Sequence, residues 1–137
     1  MNIAIVTSEF NQKVTSKMLE VAQEKAKLLK LNVKYTCKVP GVFDIPLLVD
    51  TLLEKKEIDA VVTLGAIIKG KTKHDELIAN ATVTRLTKLS LKHKKPVTLG
   101  ITGPGMGERQ AYARIRPVAE RAVEAALKIS QELEKIR

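Results

Sequence analysis

The sequence predicts an α/β fold, a parallel sheet of four strands covered by helices on both faces. Two observations predict it. Short apolar runs of strand type alternate along the chain with longer stretches whose apolar residues recur at helical spacing. The stretches between runs are long enough to form the helical crossovers that parallel strands require. A third observation bounds the architecture. The 137 residues leave room for one core, and no repeat, linker or low-complexity tract divides them, so residues 1–137 are expected to form a single domain.

Each element has a local reason. Ile3 to Ser8 is a short apolar strand. Ser16 to Leu29 is a helix, with Met18, Leu19, Ala22, Ala26 and Leu29 forming its apolar stripe. Val33 to Val39 alternates as a strand, and Pro40-Gly41 stops it. Pro46 to Leu53 is a second helix, with its proline in the first turn, where no intrahelical bond is lost. Ala60 to Leu64 is the third strand, broken at Gly65, and Ala66 to Ile68 is expected to be an apolar loop. His74 to Leu91 is the third helix, ended by the Lys92 to Lys95 run and Pro96. Val97 to Thr102 is the fourth strand, closed by Gly103-Pro104-Gly105. Glu108 to Arg114 and Val118 to Ile136 are the last helices.

Charge and composition narrow the function. The net charge is +9 and the pI about 9.7, which raises nucleic acid as a partner. Stacking on single strands needs clustered aromatic rings, and Phe10, Tyr35, Phe43 and Tyr112 are scattered. There is no zinc-finger, homeodomain or RNA-recognition pattern. Lysines interleave with glutamates (Lys17, Glu20, Glu24, Lys25, Lys27), as on a solvated and heat-adapted surface. The basic excess is therefore expected to serve an anionic substrate, with no nucleic-acid partner. No apolar run approaches the ~20 residues of a membrane span. Ile3 to Val6 enter a strand at once, so no signal peptide is expected. Cys37 stands alone, so a disulfide framework is not expected and a cytoplasmic setting is.

Chemistry-bearing residues gather at the carboxyl ends of the predicted strands, where open α/β sheets bind ligands. The segment Asp59 to Asp75, DAVVTLGAIIKGKTKHD, runs from a buried strand into a glycine-containing basic turn and a helix start. Backbone N–H groups and the positive end of the helix dipole make such a turn an anion site. His74 adds an imidazole, a group that can both accept and donate protons. It reads either as a solvated first-turn residue or as a general acid–base group beside that anion site. Phe10 reads either as a core lid or, with Asn11 beside it, as an aromatic face and amide suited to a flat heterocycle. Asp44 in VPGVFDIP reads either as a helix cap or as an acceptor for hydroxyl groups. His93, in a basic run before Pro96, is expected to be exposed and inert. No metal site is expected, because His74-Asp75-Glu76 lacks metalloprotease spacing and no second His or Cys is near. Gly103-Pro104-Gly105-Met106-Gly107 lacks the dinucleotide-binding spacing, and no P-loop is present.

Three segments together resemble the lumazine synthases in their short, archaeal-looking form: VPGVFDIP (Val39 to Pro46), LGAIIKGKTKHDE (Leu64 to Glu76) and PVTLGITGPGM (Pro96 to Met106). The resemblance covers nearly the whole chain. It implies a three-layer α/β/α sandwich with a four-stranded parallel sheet, the flavodoxin-like arrangement. It also implies a homo-oligomer, a pentamer or an assembly of pentamers, with sites at subunit interfaces. The implied reaction joins 5-amino-6-ribitylaminouracil to 3,4-dihydroxy-2-butanone 4-phosphate and yields 6,7-dimethyl-8-ribityllumazine, phosphate and water, without cofactor or metal.

Position by position, the resemblance implies that Phe10 stacks on the pyrimidine and Asn11 bonds the ribityl chain. Val42 and Phe43 contribute backbone contacts, and Asp44 takes ribityl hydroxyls. Ala66 and Ile68 border the heterocycle, and Leu99 stands where relatives present an aromatic ring to the adjoining subunit. Gly70, Lys71, Thr72 and Arg114 hold phosphate, and His74 transfers protons. The rival readings are the paralogous archaeal riboflavin synthase, which takes two lumazines and no phosphate ester, and a basic module that binds RNA or another polyanion. The G-K-T-K-H segment and Arg114 favour the phosphate-using enzyme.

Overall fold

The structure is a computed structural model that describes residues 1–70 and 72–137. Strands β1 (Asn2–Ser8), β2 (Asn32–Val39), β3 (Ala60–Ile68) and β4 (Val97–Met106) form one sheet in the order β2-β1-β3-β4. All three pairings are parallel. Helices α1 (Gln12–Leu28), α2 (Ile45–Leu53) and α3 (His74–His93) connect the strands, and a short 3-10 turn, Val42–Asp44, precedes α2. Helices α4 (Glu108–Ala113) and α5 (Ile115–Ile136) follow β4.

The layering follows from strand periodicity, because successive side chains point to opposite faces. Ile3 and Ile5 of β1 enter one core, while Ala4 and Val6 enter the other. In β3, Ala60, Val62 and Leu64 join the first core, and Val61 and Ile67 join the second. Met18 and Ala22 of α1, with Ala119 and Val123 of α5, complete the first core. Ile45 and Val49 of α2, with Leu86 and Leu89 of α3, complete the second. Each fully buried Val, Leu or Ile side chain contributes about 1.5–3 kcal/mol. Burial on both sides explains why β1 and β3 read as continuous apolar runs. Thr63 is the polar exception inside β3, and its hydroxyl donates to the Thr98 carbonyl at 2.7 Å. The α/β/α sandwich is thus the flavodoxin-like arrangement expected from the sequence.

Several boundaries differ from the periodicity. β3 does not break at Gly65, because pairing with β4 continues through Gly65↔Ile101 and Ala66↔Thr102 to Ile68↔Met106. The expected apolar loop Ala66 to Ile68 is therefore strand. β4 likewise passes Thr102 and runs to Met106. Gly103 and Gly105 sit inside it at φ 104° and 77°, values that residues with a Cβ rarely adopt. A Cβ at Gly103 would also collide with the Ile67 carbonyl, so this glycine permits a kink against β3 instead of ending the strand. α1 starts at Gln12, ahead of the expected Ser16; buried Val14 extends its apolar stripe, and polar Thr15 is buried beside it.

This topology positions the site. From β1 the chain steps to β2 on one side, and β3 and β4 lie on the other, so the strand order reverses between β1 and β3. Open α/β sheets hold ligands in the crevice beyond the strand carboxyl ends at such a reversal.

Candidate active site

A cavity of about 390 Å³ lies at that reversal, lined by residues that follow β1, β2 and β3. Asn11 turns the chain from β1 into α1 with φ 66°, a left-handed conformation that asparagine tolerates better than most residues. Its side-chain Nδ2 donates to the Ala66 carbonyl at 2.8 Å and ties this turn to the end of β3. An amide has a second N–H and an acceptor oxygen, which remain for a ligand. Phe10 is 73% exposed, so it is not a lid on the core of its own chain. The Glu9 and Phe10 N–H groups donate to the Val39 and Pro40 carbonyls at 2.8 and 2.9 Å and bring the β1 and β2 ends together.

The 3-10 turn after β2 sets the next wall. Val42 is buried and anchors the turn, while Phe43 is 66% exposed beside the cavity. The Asp44 carboxylate accepts the Gly41 N–H at 2.9 Å and makes no capping bond to α2. Asp44 thus shapes the turn that carries Phe43 and does not line the cavity.

Ala66, Ile67 and Ile68 end β3, and Gly70, Thr72 and His74 follow on the same cavity. A Cβ at Gly70 would meet nothing within 4 Å, so the chain's own packing does not demand this glycine. His74 is the first residue of α3 and is exposed. Its N–H donates to the Thr72 hydroxyl at 3.4 Å. The first-turn N–H groups of a helix lack intrahelical partners and carry positive partial charge, which favours an anion there. Lys71, expected to hold phosphate, lies outside the described residues.

The cavity brings together Phe10, Asn11, Val42, Phe43, Ala66, Ile68, Gly70, Thr72 and His74. It does not include Asp44, Leu99 or Arg114. Leu99 is 43% exposed on β4 and shares a separate small recess with Val83 and Leu86 of α3. Arg114 stands between α4 and α5, where its Nη1 donates to the Met106 Sδ at 3.6 Å. Among the described residues it forms no ion pair.

Four lining residues were not among those singled out from the sequence: Gly41, Ile67, Asp75 and Ile78. Helical spacing identifies Ile78, which lies four residues after His74 and so on the same face. His93 also differs from expectation. Its side chain is only 12% exposed, and its Nε2 lies 2.7 Å from the Asp50 carboxylate, because α3 extends through His93 and packs beside α2. A second cavity, about 340 Å³, is lined by Met1, Asp59 and Pro96, at the opposite ends of the strands, and contains no residue singled out above. Among the described residues no helix is long and apolar enough to cross a membrane.

Comparison with known proteins agrees with this arrangement. Residues 1–134 match the family described as 6,7-dimethyl-8-ribityllumazine synthase. A protein of that name from Pyrobaculum arsenaticum is 50% identical over 137 residues, covering 100% of this chain and 91% of its own length. One from Saccharolobus islandicus is 52% identical over 136 residues, covering 99% of this chain and 88% of the relative. One from Sulfolobus acidocaldarius is 50% identical over 137 residues, covering 100% of this chain and 87% of the relative. With its sandwich, its cavity at the β1/β3 reversal and these full-length similarities, the chain belongs to the 6,7-dimethyl-8-ribityllumazine synthase family.

Proposed function

We infer that this protein is a transferase that condenses 5-amino-6-ribitylaminouracil with 3,4-dihydroxy-2-butanone 4-phosphate to form 6,7-dimethyl-8-ribityllumazine, a step of riboflavin biosynthesis. One observation carries the residue assignments. A single cavity combines exposed aromatic and aliphatic walls with a glycine turn, a helix N-terminus and an imidazole. A flat pyrimidine and a phosphate ester need those two environments side by side.

In this reading Phe10 stacks on the pyrimidine, with Ala66 and Ile68 at its border. Asn11 bonds the ribityl chain through the groups that Ala66 leaves unused. Val42 and Phe43 contribute backbone contacts, and Asp44, outside the cavity lining, fixes their turn and offers its other oxygen to a ribityl hydroxyl at the rim. Gly70, Lys71 and Thr72 hold the phosphate together with Arg114, which lies outside its own chain's cavity and reaches the site of an adjoining copy. The pyrimidine amine attacks the ketone, and water leaves to give an imine. Removing the proton from the carbon between the imine and the phosphate-bearing carbon expels phosphate. The resulting enol takes up a proton at its terminal carbon to become a ketone, the ribityl-bearing nitrogen adds to that carbonyl and closes the ring, and a second water departs. His74 accepts and returns protons in these steps, a role typically worth ~10²–10⁴-fold. Holding amine and ketone aligned lowers the barrier further, and N–H and cationic groups stabilise the departing phosphate.

The same reading takes the whole chain as one catalytic domain, working in the cytoplasm as a homo-oligomer, a pentamer or an assembly of pentamers. Leu99 then completes the cavity of an adjoining copy. Its partial exposure outside its own chain's cavity, with exposed Phe10 and Phe43 at the rim, supports shared sites. The cytoplasmic setting is supported by a single cysteine, which leaves no disulfide for the fold to depend on.

The deciding experiment mixes purified protein with both substrates and follows lumazine absorbance and phosphate release together. One phosphate per lumazine is expected. Conversion of lumazine to riboflavin instead would assign the paralogous activity, and silence in both assays would leave a binding module.

A further inference from the structure

Among the described residues Asp75 is the one carboxylate lining the cavity, and it lies beside the turn that favours anions. A carboxylate there works against an anionic ligand, so its presence calls for a structural reason. It is only 8% exposed, and its Oδ2 accepts the Gly105 N–H at 3.0 Å. Gly105, at φ 77°, adopts a conformation that residues with a Cβ rarely take. A hydrogen bond to an ionised acceptor is stronger than a neutral one. This one joins the first turn of α3 to the tail of β4.

The next residue along that tail reaches the root of the anion site. The Met106 carbonyl accepts the Lys69 N–H at 2.8 Å, at the root of the Gly70 turn. The Met106 Sδ accepts from the Thr102 hydroxyl at 3.4 Å and from Arg114 Nη1 at 3.6 Å. One buried methionine therefore touches both the root of the glycine turn and the arginine, and Asp75 holds the residue beside it.

We propose that Asp75 is a positioning residue for phosphate. By holding Gly105 it sets the β4 tail, and through the Met106 carbonyl and the Lys69 N–H the tail sets the Gly70 turn. The proposal rests on the reading of Gly70 and Thr72 as phosphate binders. Small misplacements at such sites are costly, up to ~10²-fold for about 1 Å.

The test compares wild type, Asp75→Ala and Asp75→Asn by calorimetric titration with inorganic phosphate and by steady-state kinetics. Asp75→Ala is expected to weaken phosphate binding and raise KM for the butanone phosphate by about tenfold. KM for the pyrimidine should change little. Asp75→Asn keeps an oxygen that accepts from Gly105, so it should stay within about threefold of wild type. If Asp75→Ala fails to fold, Asp75→Ser serves in its place: it keeps a good helix-start residue, but its shorter arm stops short of Gly105. Tighter phosphate binding in both Asp75→Asn and the shorter variant would mean that Asp75 acts only as a like charge, and would overturn the proposal. Unchanged phosphate binding and KM would overturn it too, while leaving the synthase activity intact. A wild type that makes no lumazine would overturn the proposed function alone, because the phosphate titrations would still decide the role of Asp75.

Discussion

The side-chain amide of Asn11 donates to the backbone carbonyl of Ala66 at 2.8 Å, bridging the ends of β1 and β3 where the strand order reverses. Asn11→Ala removes this bond and places a β-carbon at φ 66° without the asparagine side chain. The lost hydrogen bond and the left-handed strain together should destabilise the fold by about 1–3 kcal/mol, read from the urea midpoint. Asn11→Gly removes the same bond without the strain and should cost less. Both variants should lose affinity for the ribityl substrate, and full affinity in Asn11→Gly would remove Asn11 from substrate binding.

His74→Gln keeps a polar side chain at the exposed start of α3, so stability should change by less than about 0.5 kcal/mol. Turnover should fall by about 10²–10⁴-fold, with KM for the ribityl substrate nearly unchanged. Equal turnover would leave alignment alone as the source of catalysis.

Among the described residues the Arg114 guanidinium hydrogen-bonds only to the weak Met106 Sδ acceptor, and Arg114→Ala should hardly shift the melting temperature. KM for the butanone phosphate should rise at least about tenfold, in line with the loss of a charged contact. Arg114→Lys should recover only part, since the ammonium keeps the charge but not the planar fork. An unchanged KM in Arg114→Ala would remove the residue from the phosphate site.

His93 and Asp50 join α3 to α2 on the face of the sheet away from α1 and α5, and Lys92 adds a longer contact to Asp50 at 3.9 Å. His93→Ala should destabilise the protein by about 1–3 kcal/mol, the range for losing a bond to a charged partner. It should leave turnover unaltered. A urea midpoint equal to wild type would show that the pair contributes nothing net.

Much of the site is legible in the chain because it depends on local order. Phe10, Asn11, Gly70, Thr72 and His74 each follow a strand-type run within a few residues, and parallel strands deliver such loops to one edge. The helix start at His74 needs no distant partner to be an anion site, since first-turn N–H groups are unpaired in any helix. Asp75 is different. It reads as an ordinary acidic first-turn residue until Gly105, 30 residues away, is seen to donate to it.

The sequence by itself determined the alternation of elements, the two-sided burial of β1 and β3, and the gathering of glycine, aromatic and imidazole groups at strand ends. Those properties rest on periodicity and on the chemistry of adjacent residues. Only the tertiary structure decided that β3 and β4 continue through their glycines, that Asp44 bonds back to Gly41, and that His93 meets Asp50 across 43 residues. Strand pairing and turn geometry set those outcomes. Hydrophobic patterning says which face a residue takes, whereas register and backbone conformation say which distant polar group it meets there.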